Sequence, residues 1–243
     1  MKFTLIFLLP FLISLLIGNP LQAEVPTGTN NAAFDQYANH IELQLENHPF
    51  APGHLTSMKI ERLTPDRLPP GFQGAMLHHW RGEIFVPDAR ADVLLKFLRD
   101  VDAYPQHFAP QVESSSTLRS SLGVLRSRMR LRQHHILTVV LDADFSTTFA
   151  HGYSVSSSTR IDEINTSTGL PLSRQDNHGF LWRQNTYWSW QEHDGGLSLR
   201  LETLSLTRDL PTGLGWAVRP FVESIPRESL AFTLQHVAQS LQH

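Results

Sequence analysis

The chain has no cysteine. Disulfides, thiol nucleophiles and thiolate metal sites are therefore excluded. A strong charge excess is missing too: the formal net charge is −3 at pH 7. Nucleic-acid binding needs a basic footprint, so no nucleic-acid partner is expected. After the first residues no apolar run is long enough to cross a bilayer. The sequence also lacks a Gly-x-Ser-x-Gly elbow, a phosphate-binding loop, a dinucleotide fingerprint and a His-Glu-x-x-His helix. No cofactor is expected, and no residue is assigned as catalytic. Thirteen histidines are the one hint of a metal. The adjacent pairs His78-His79 and His134-His135 fall on predicted strands, where neighbours point to opposite faces. Neither pair chelates, and no metal ligand is assigned.

What is present begins with an address. Lys2 precedes an apolar run from Phe3 to Ile17, broken by Asn19-Pro20 and ending at the small residue Ala23. This is the layout of a secretory signal peptide cleaved near Ala23, over residues 1–23. The run of about 15 residues is too short to span a bilayer. The protein is expected to be exported, to a periplasm or the exterior. The remaining chain of about 220 residues is long enough to bury roughly 70% of its unfolded surface without staples.

Residues 24–74 read as a polar leader, a helix and a connector. Phe34, Tyr37, Ile41 and Leu45 mark one helical face within Ala32–Asn47, and prolines and glycines over Pro49–Gly74 read as irregular chain. Residues 75–243 have a different rhythm. Met76–Val86 alternates as a strand, with Trp80 and Ile84 on one face and His79, Arg81 and Glu83 on the other. A helix carrying Val93, Leu94, Phe97 and Leu98 follows, with Asp88 as its cap. An extra turn is expected around Gln106–Phe108. Six strands come next: Val112–Arg119, Gly123–Gln133, His135–Phe149, Gly152–Asn165, Phe180–Gln191 and Gly196–Arg208. Asp194-Gly195-Gly196 marks a hairpin between the last two. Leu230, Leu234, Val237 and Leu241 form the stripe of a closing helix. Pro226 is placed in its first turn, and Pro220 separates a shorter helix before it.

The order is β-α-β6-α in an α+β class: a curved antiparallel sheet of about seven strands gripping a long C-terminal helix, with an extra N-terminal helix. Strands this long twist and coil, so one face is concave and must be filled.

Within Phe180–Gln191, Trp182, Gln184, Thr186, Trp188 and Trp190 share a face. A lone amide among tryptophans suits a ligand site, so Trp182, Gln184 and Trp188 are candidate ligand-binding residues, beside the reading of these side chains as simple core. Trp80 and Met129 of other strands, Leu199 and Leu201 of the last strand, and Phe221, Leu230 and Leu234 of the closing segment complete the apolar set. A one-residue bulge would reverse the parity. Arg183, Asn185, Tyr187 and Glu202 would then line the interior, and Arg183 would favour an acidic head group. Arg126, Arg128, Arg130 and Arg132 form an outward row, read as a solvated face or as a contact with an anionic membrane surface. Serines 114–116 and 156–158 read as edge or solvent-face residues. His178 reads as a solvated loop histidine or as an acid–base group. Residues 209–216 read as a hinge-like loop.

The element order resembles the START-related helix-grip superfamily, which includes polyketide cyclase-like and lipid-transfer proteins. Thr186-Tyr-Trp188-Ser-Trp190, followed by Asp194-Gly195-Gly196, is similar to a strand and turn common there, as is the loop Leu210-Pro-Thr-Gly213-Leu-Gly215 before the last helix. The resemblance covers about residues 76–243. It implies a cavity for an apolar small molecule or lipid and no shared catalytic motif. Two other readings stand beside a binding protein. One is a cyclase-like enzyme drawing on His78, Glu202 and Tyr187. The other is an envelope interaction module with a filled core.

Overall fold

The computed structural model describes residues 25–48, 50–53, 55–134, 138–174, 176–193, 195–209 and 215–242, with side chains from 224 onward in the last segment. The signal peptide expected over residues 1–23 and most of the hinge-like loop lie outside the described residues.

Helix α1 runs from Gly28 to Asn47. Thr27 Oγ1 accepts the Asn30 N–H and Asn30 Oδ1 accepts the Thr27 N–H, each at 3.0 Å, a reciprocal cap that satisfies two orphan donors. Asn30 is buried, and its Nδ2 donates to the carbonyls of Gly71 (2.8 Å) and Gln73 (3.2 Å). The start of α1 is thereby tied to the chain entering the sheet. Strand β1 (Lys59–Arg62) pairs with β2 (Ala75–Pro87). The sequence reads as irregular here because a four-residue polar edge strand has no alternating apolar signal. Eight strands therefore form the sheet, where about seven are expected.

Helix α2 (Ala91–Arg99) follows, then a 3-10 turn (Val101–Ala103) and the short α3 (Tyr104–His107). Asp88 does not cap α2. It adopts a left-handed φ of 60°, and the Ala91 N–H donates instead to Glu192 Oε1 at 2.6 Å. Strands β3 (Val112–Ser121), β4 (Val124–His134), β5 (Thr138–Ala150), β6 (Tyr153–Glu163), β7 (Arg183–His193) and β8 (Gly196–Arg208) complete the sheet. Its antiparallel order is β1-β2-β8-β7-β6-β5-β4-β3. Helix α4 is one element from Gly215 to Ser240. The chain stays helical through Pro220 and Pro226, whose fixed φ suits a helix although each lacks the N–H. Pro226 is thus interior and not a first-turn residue.

A core lies on each face of the sheet. On the inner face Leu197, Leu199, Leu201, Trp188 and Trp190 pack with Leu94 and Leu98 of α2 and with Leu230, Leu234, Val237 and Leu241 of α4. On the outer face Leu204, Leu206, Leu77 and Tyr187 pack with Phe34, Ala38 and Ile41 of α1. The extra N-terminal helix thus covers the back of the grip.

Candidate functional site

The strands that bear the two helices change polarity half-way along. On the inner face of β8, Leu197, Leu199 and Leu201 give way to Thr203, Ser205 and Thr207; on its outer face Ser198, Arg200 and Glu202 give way to Leu204 and Leu206. In β2 the inner face carries Gly82, Ile84 and Val86 at one end and Met76, His78 and Trp80 at the other, His78 being its one polar group. In β7, Trp188 and Trp190 are replaced by Thr186 and Gln184. Helix α4 covers the apolar half of the inner face and α1 the apolar half of the outer face. The polar half of the inner face, at the end where the chain leaves β8 toward α4, is the candidate site.

It is rich in hydroxyls. Thr147 Oγ1 donates to Ser156 Oγ at 2.9 Å. Ser158 is buried and its Oγ accepts the Gln184 N–H at 2.9 Å. This bond spans a seam, because the β6–β7 ladder ends at Ser157–Asn185 while both strands continue. Ser127 is 1% exposed, and its Oγ has no hydrogen-bond partner among the described residues. Serines 156 and 158 are therefore interior groups, not solvent-face ones: alternation sends them the same way as Phe145 and Thr147.

Three ionisable groups accompany this half. His78 is buried, with Nε2 3.3 Å from Thr207 Oγ1. Glu163, opposite Leu141 on the inner face, is also buried. Its Oε1 accepts from His178 Nδ1 at 2.6 Å and its Oε2 from the His178 N–H at 3.0 Å. That bond to Glu163 raises the His178 pKa against the opposing effect of burial. Strands β2 to β8 place no lysine or arginine on the inner face; the arginine at an inner-face register position is Arg62, exposed on the edge strand β1 opposite Trp80.

The outer face holds the charges. Arg81 Nε donates to Glu202 Oε1 (2.8 Å), and His79 Nε2 donates to Glu202 Oε2 (3.0 Å). With that tautomer, His79 Nδ1 accepts from the Tyr37 hydroxyl at 3.1 Å. Burial pushes the Glu202 carboxyl up, but the bonds from His79 and Arg81 outweigh it and the net shift is downward. Asn185 Nδ2 donates to the Tyr187 hydroxyl (3.0 Å), which donates to Glu42 at 3.4 Å. Burial raises the Tyr187 pKa. Arg183 lies over the Phe34 ring and pairs with Asp35 at 2.8 Å.

The alternative inward set is therefore placed outward: Arg183, Asn185, Tyr187 and Glu202 all lie beneath or beside α1. The proposed acid–base trio does not converge either, because His78 is on the inner face and Glu202 and Tyr187 are on the other. Of the apolar candidates, Leu199, Leu201, Leu230, Leu234 and Trp188 are closely packed together, with Trp80 half-buried against them. Met129 and Gln184 are half-buried on the inner face. Trp182 leaves the set: it precedes β7, outside the alternation, and packs with the outer core. The side chain of Phe221 lies outside the described residues.

The arginine row is outward, as its alternation requires, and it meets carboxylates. Arg128 pairs with Asp144 and Arg130 with Asp142, each at 2.7 Å, and Arg132 pairs with Glu113. Asp144, which also takes Arg160, is held far below the usual carboxylate range by these bonds.

Sequence reasoning missed the Glu163–His178 pair and the hydroxyl lining. The β8 run Leu-Glu-Thr-Leu-Ser-Leu-Thr carried a signal for the second, since its leucines change face at Thr203.

No protein-family model matches the chain, and no curated protein matches it in sequence. Solved structures do. A STAR-related lipid transfer protein from Xanthomonas axonopodis aligns with a TM-score of 0.51 at 19% identity, over 79% of this chain and 97% of that one. An aromatase/cyclase from Streptomyces aligns with a TM-score of 0.50 at 13% identity, over 69% of this chain and 94% of that one. A Thermus thermophilus protein aligns with a TM-score of 0.50 at 16% identity, over 67% and 95%. The chain has the START-related helix-grip fold.

Proposed function

We propose that this protein is an exported carrier. Its ligand is an apolar small molecule or lipid with an uncharged, hydrogen-bonding end, held between the inner face of the sheet and α4. One observation carries the reading: an apolar half-face continues into a hydroxyl-lined half-face on which β2 and β4 to β8 place no lysine or arginine, Arg62 being exposed at the β1 edge. Ligand sites combine such apolar walls with a few placed polar groups. A carboxylate or phosphate head would find no buried inner arginine: Arg183 is committed to Asp35 and Phe34 on the outside, and Arg62 is exposed at the sheet edge. The similarity in fold to a lipid transfer protein is consistent with this chemistry. The buried Ser127 hydroxyl, without a partner among the described residues, is an inner-face group that a ligand could meet. The arginine row adds little to a membrane contact, since its members are paired with Asp142, Asp144 and Glu113.

The test is native mass spectrometry of protein purified from its own host, followed by denaturation and lipid analysis. Release of a reproducible neutral apolar molecule supports the reading. An anionic lipid as the sole released species, or a bare protein that takes up nothing from a lipid extract, refutes it. Sequencing the N-terminus of the same sample tests export: a start near residue 24 is expected, and an intact Met1 refutes it.

A further inference from the structure

The Glu163–His178 pair is a built arrangement. Glu163 is buried on the inner face, its side chain 8% exposed. Both of its oxygens are spent on one residue, one on the imidazole and one on the main chain of His178. Phe180 stacks on the same ring with centroids 5.3 Å apart and planes inclined by 25°. The imidazole is therefore fixed in place by its backbone, its Nδ1 and its flat face. Nε2 on the opposite edge makes no hydrogen bond among the described residues. The pair sits at the end of β6, on the same face as Ser158 and beyond the point where the β6–β7 ladder stops. A clamped imidazole with one free nitrogen is a recognition group, because a carboxylate on Nδ1 sets the tautomer and leaves Nε2 as the acceptor.

We propose that Nε2 of His178 is the head-group contact of the grip and that it takes a hydroxyl, making the ligand an apolar alcohol. This rests on the carrier reading above and names the ligand class. A hydroxyl suits both states of the imidazole: it donates to neutral Nε2 and accepts from the imidazolium. A carboxylate head does not suit the neutral state, because it would meet a lone pair beside the Glu163 charge. An ether is accommodated only by the imidazolium. Arg208 and Asp176 also act on His178, one lowering and one raising its pKa, so they partly offset one another in setting its titration.

The test uses the mature full-length chain at pH 8 with three probes built on a ten-carbon chain: 1-decanol, decyl methyl ether and decanoate. Affinities are read by calorimetry, and the His178 ring proton by NMR, assigned with a His178→Gln variant. The alcohol is expected to bind about tenfold more tightly than the ether, the value of one ordinary hydrogen bond, and more tightly still than decanoate. The ring proton should shift on adding 1-decanol, and His178→Gln should bring alcohol and ether to similar affinity. Glu163→Gln is a positioning variant, expected to lower the His178 titration midpoint, a readout that loss of packing alone would not move. Equal binding of all three probes with an unmoved ring proton overturns this inference and leaves the carrier reading standing. Tightest binding of decanoate overturns it as well. If no probe binds, the carrier reading itself fails. Should either variant fail to fold, the wild-type affinity ratio and ring shift still decide.

Discussion

Gly82 sets how closely α4 approaches the sheet. A Cβ at this position would lie 2.3 Å from Leu234 Cδ1 and 2.4 Å from Leu230 Cδ2. Both leucines are fully buried, with Val237, Leu199 and Leu201 in the same core, so their methyls have little room to retreat in a close-packed interior. Gly82→Ala should therefore destabilise the protein by about 1–3 kcal/mol through overpacking. This outweighs the roughly 0.5–1 kcal/mol by which alanine is ordinarily better than glycine inside a strand. Leu234→Ala alone should cost about 2–5 kcal/mol by leaving a cavity. Combined, the two changes should cost less than their sum by on the order of 1 kcal/mol, because the new methyl occupies space the leucine vacated. Urea denaturation of the single and double variants, with m held as a check on two-state behaviour, reads all four corners of the cycle. Additivity within about 0.5 kcal/mol, or stabilisation by Gly82→Ala alone, would refute the contact between helix and sheet.

Two further expectations concern the charges. Glu202→Gln removes the anion shared by His79 and Arg81 and should cost about 3 kcal/mol near neutral pH. The Glu202 pKa is depressed on folding, so its contribution is fully present above the ordinary carboxylate value and fades as pH falls through the lower folded value. The gap between wild type and variant in urea midpoints should thus shrink below about pH 4.5; a gap constant down to pH 3 would contradict the network. Asp142→Asn, which breaks the partly exposed pair with Arg130, should cost under about 1 kcal/mol, and a loss of several kcal/mol in thermal denaturation would show that the row is a cooperative stabilising network.

The sheet and the closing helix were legible because most strands are bounded by turn signals and carry alternating stretches, and because Leu230, Leu234, Val237 and Leu241 repeat at helical spacing. The parity around Trp188 was legible only as a choice. The structure settles it by placing Trp188 and Trp190 with Leu199 against α4. Trp182 escaped the same rule because β7 begins one residue later. What alternation does not encode is what lies across from a face. The sequence sets His79, Arg81 and Glu83 together as an exposed-looking polar face, and only the position of α1 makes His79 a buried partner of Glu202 and Tyr37. Glu163 and His178 were hidden for a related reason. One is a strand end and the other a loop residue 15 positions away, and no periodicity links them.

The change of polarity along β8 bears most directly on function. Had Thr203, Ser205 and Thr207 been leucines, the core beneath α4 would have run the length of the strand, with each buried side chain adding roughly 1.5–3 kcal/mol. The strand has leucines in this stretch, but Leu204 and Leu206 face the other way, under α1. Packing demand is therefore met on the outer face and left unmet on the inner one at the same point. Thr203, Ser205 and Thr207 are half-buried, and a hydroxyl removed from water without a partner costs about 1–3 kcal/mol, so an occupant that covers them must offer polar partners. The ionisable groups that β2 and β4 to β8 set on this half are His78 and Glu163, with Arg62 exposed at the β1 edge, and Glu163 is already spent on His178. An occupant that satisfies these groups and continues into the apolar half is amphiphilic and neutral, which fits an alcohol with an apolar body better than a fatty acid or a phospholipid.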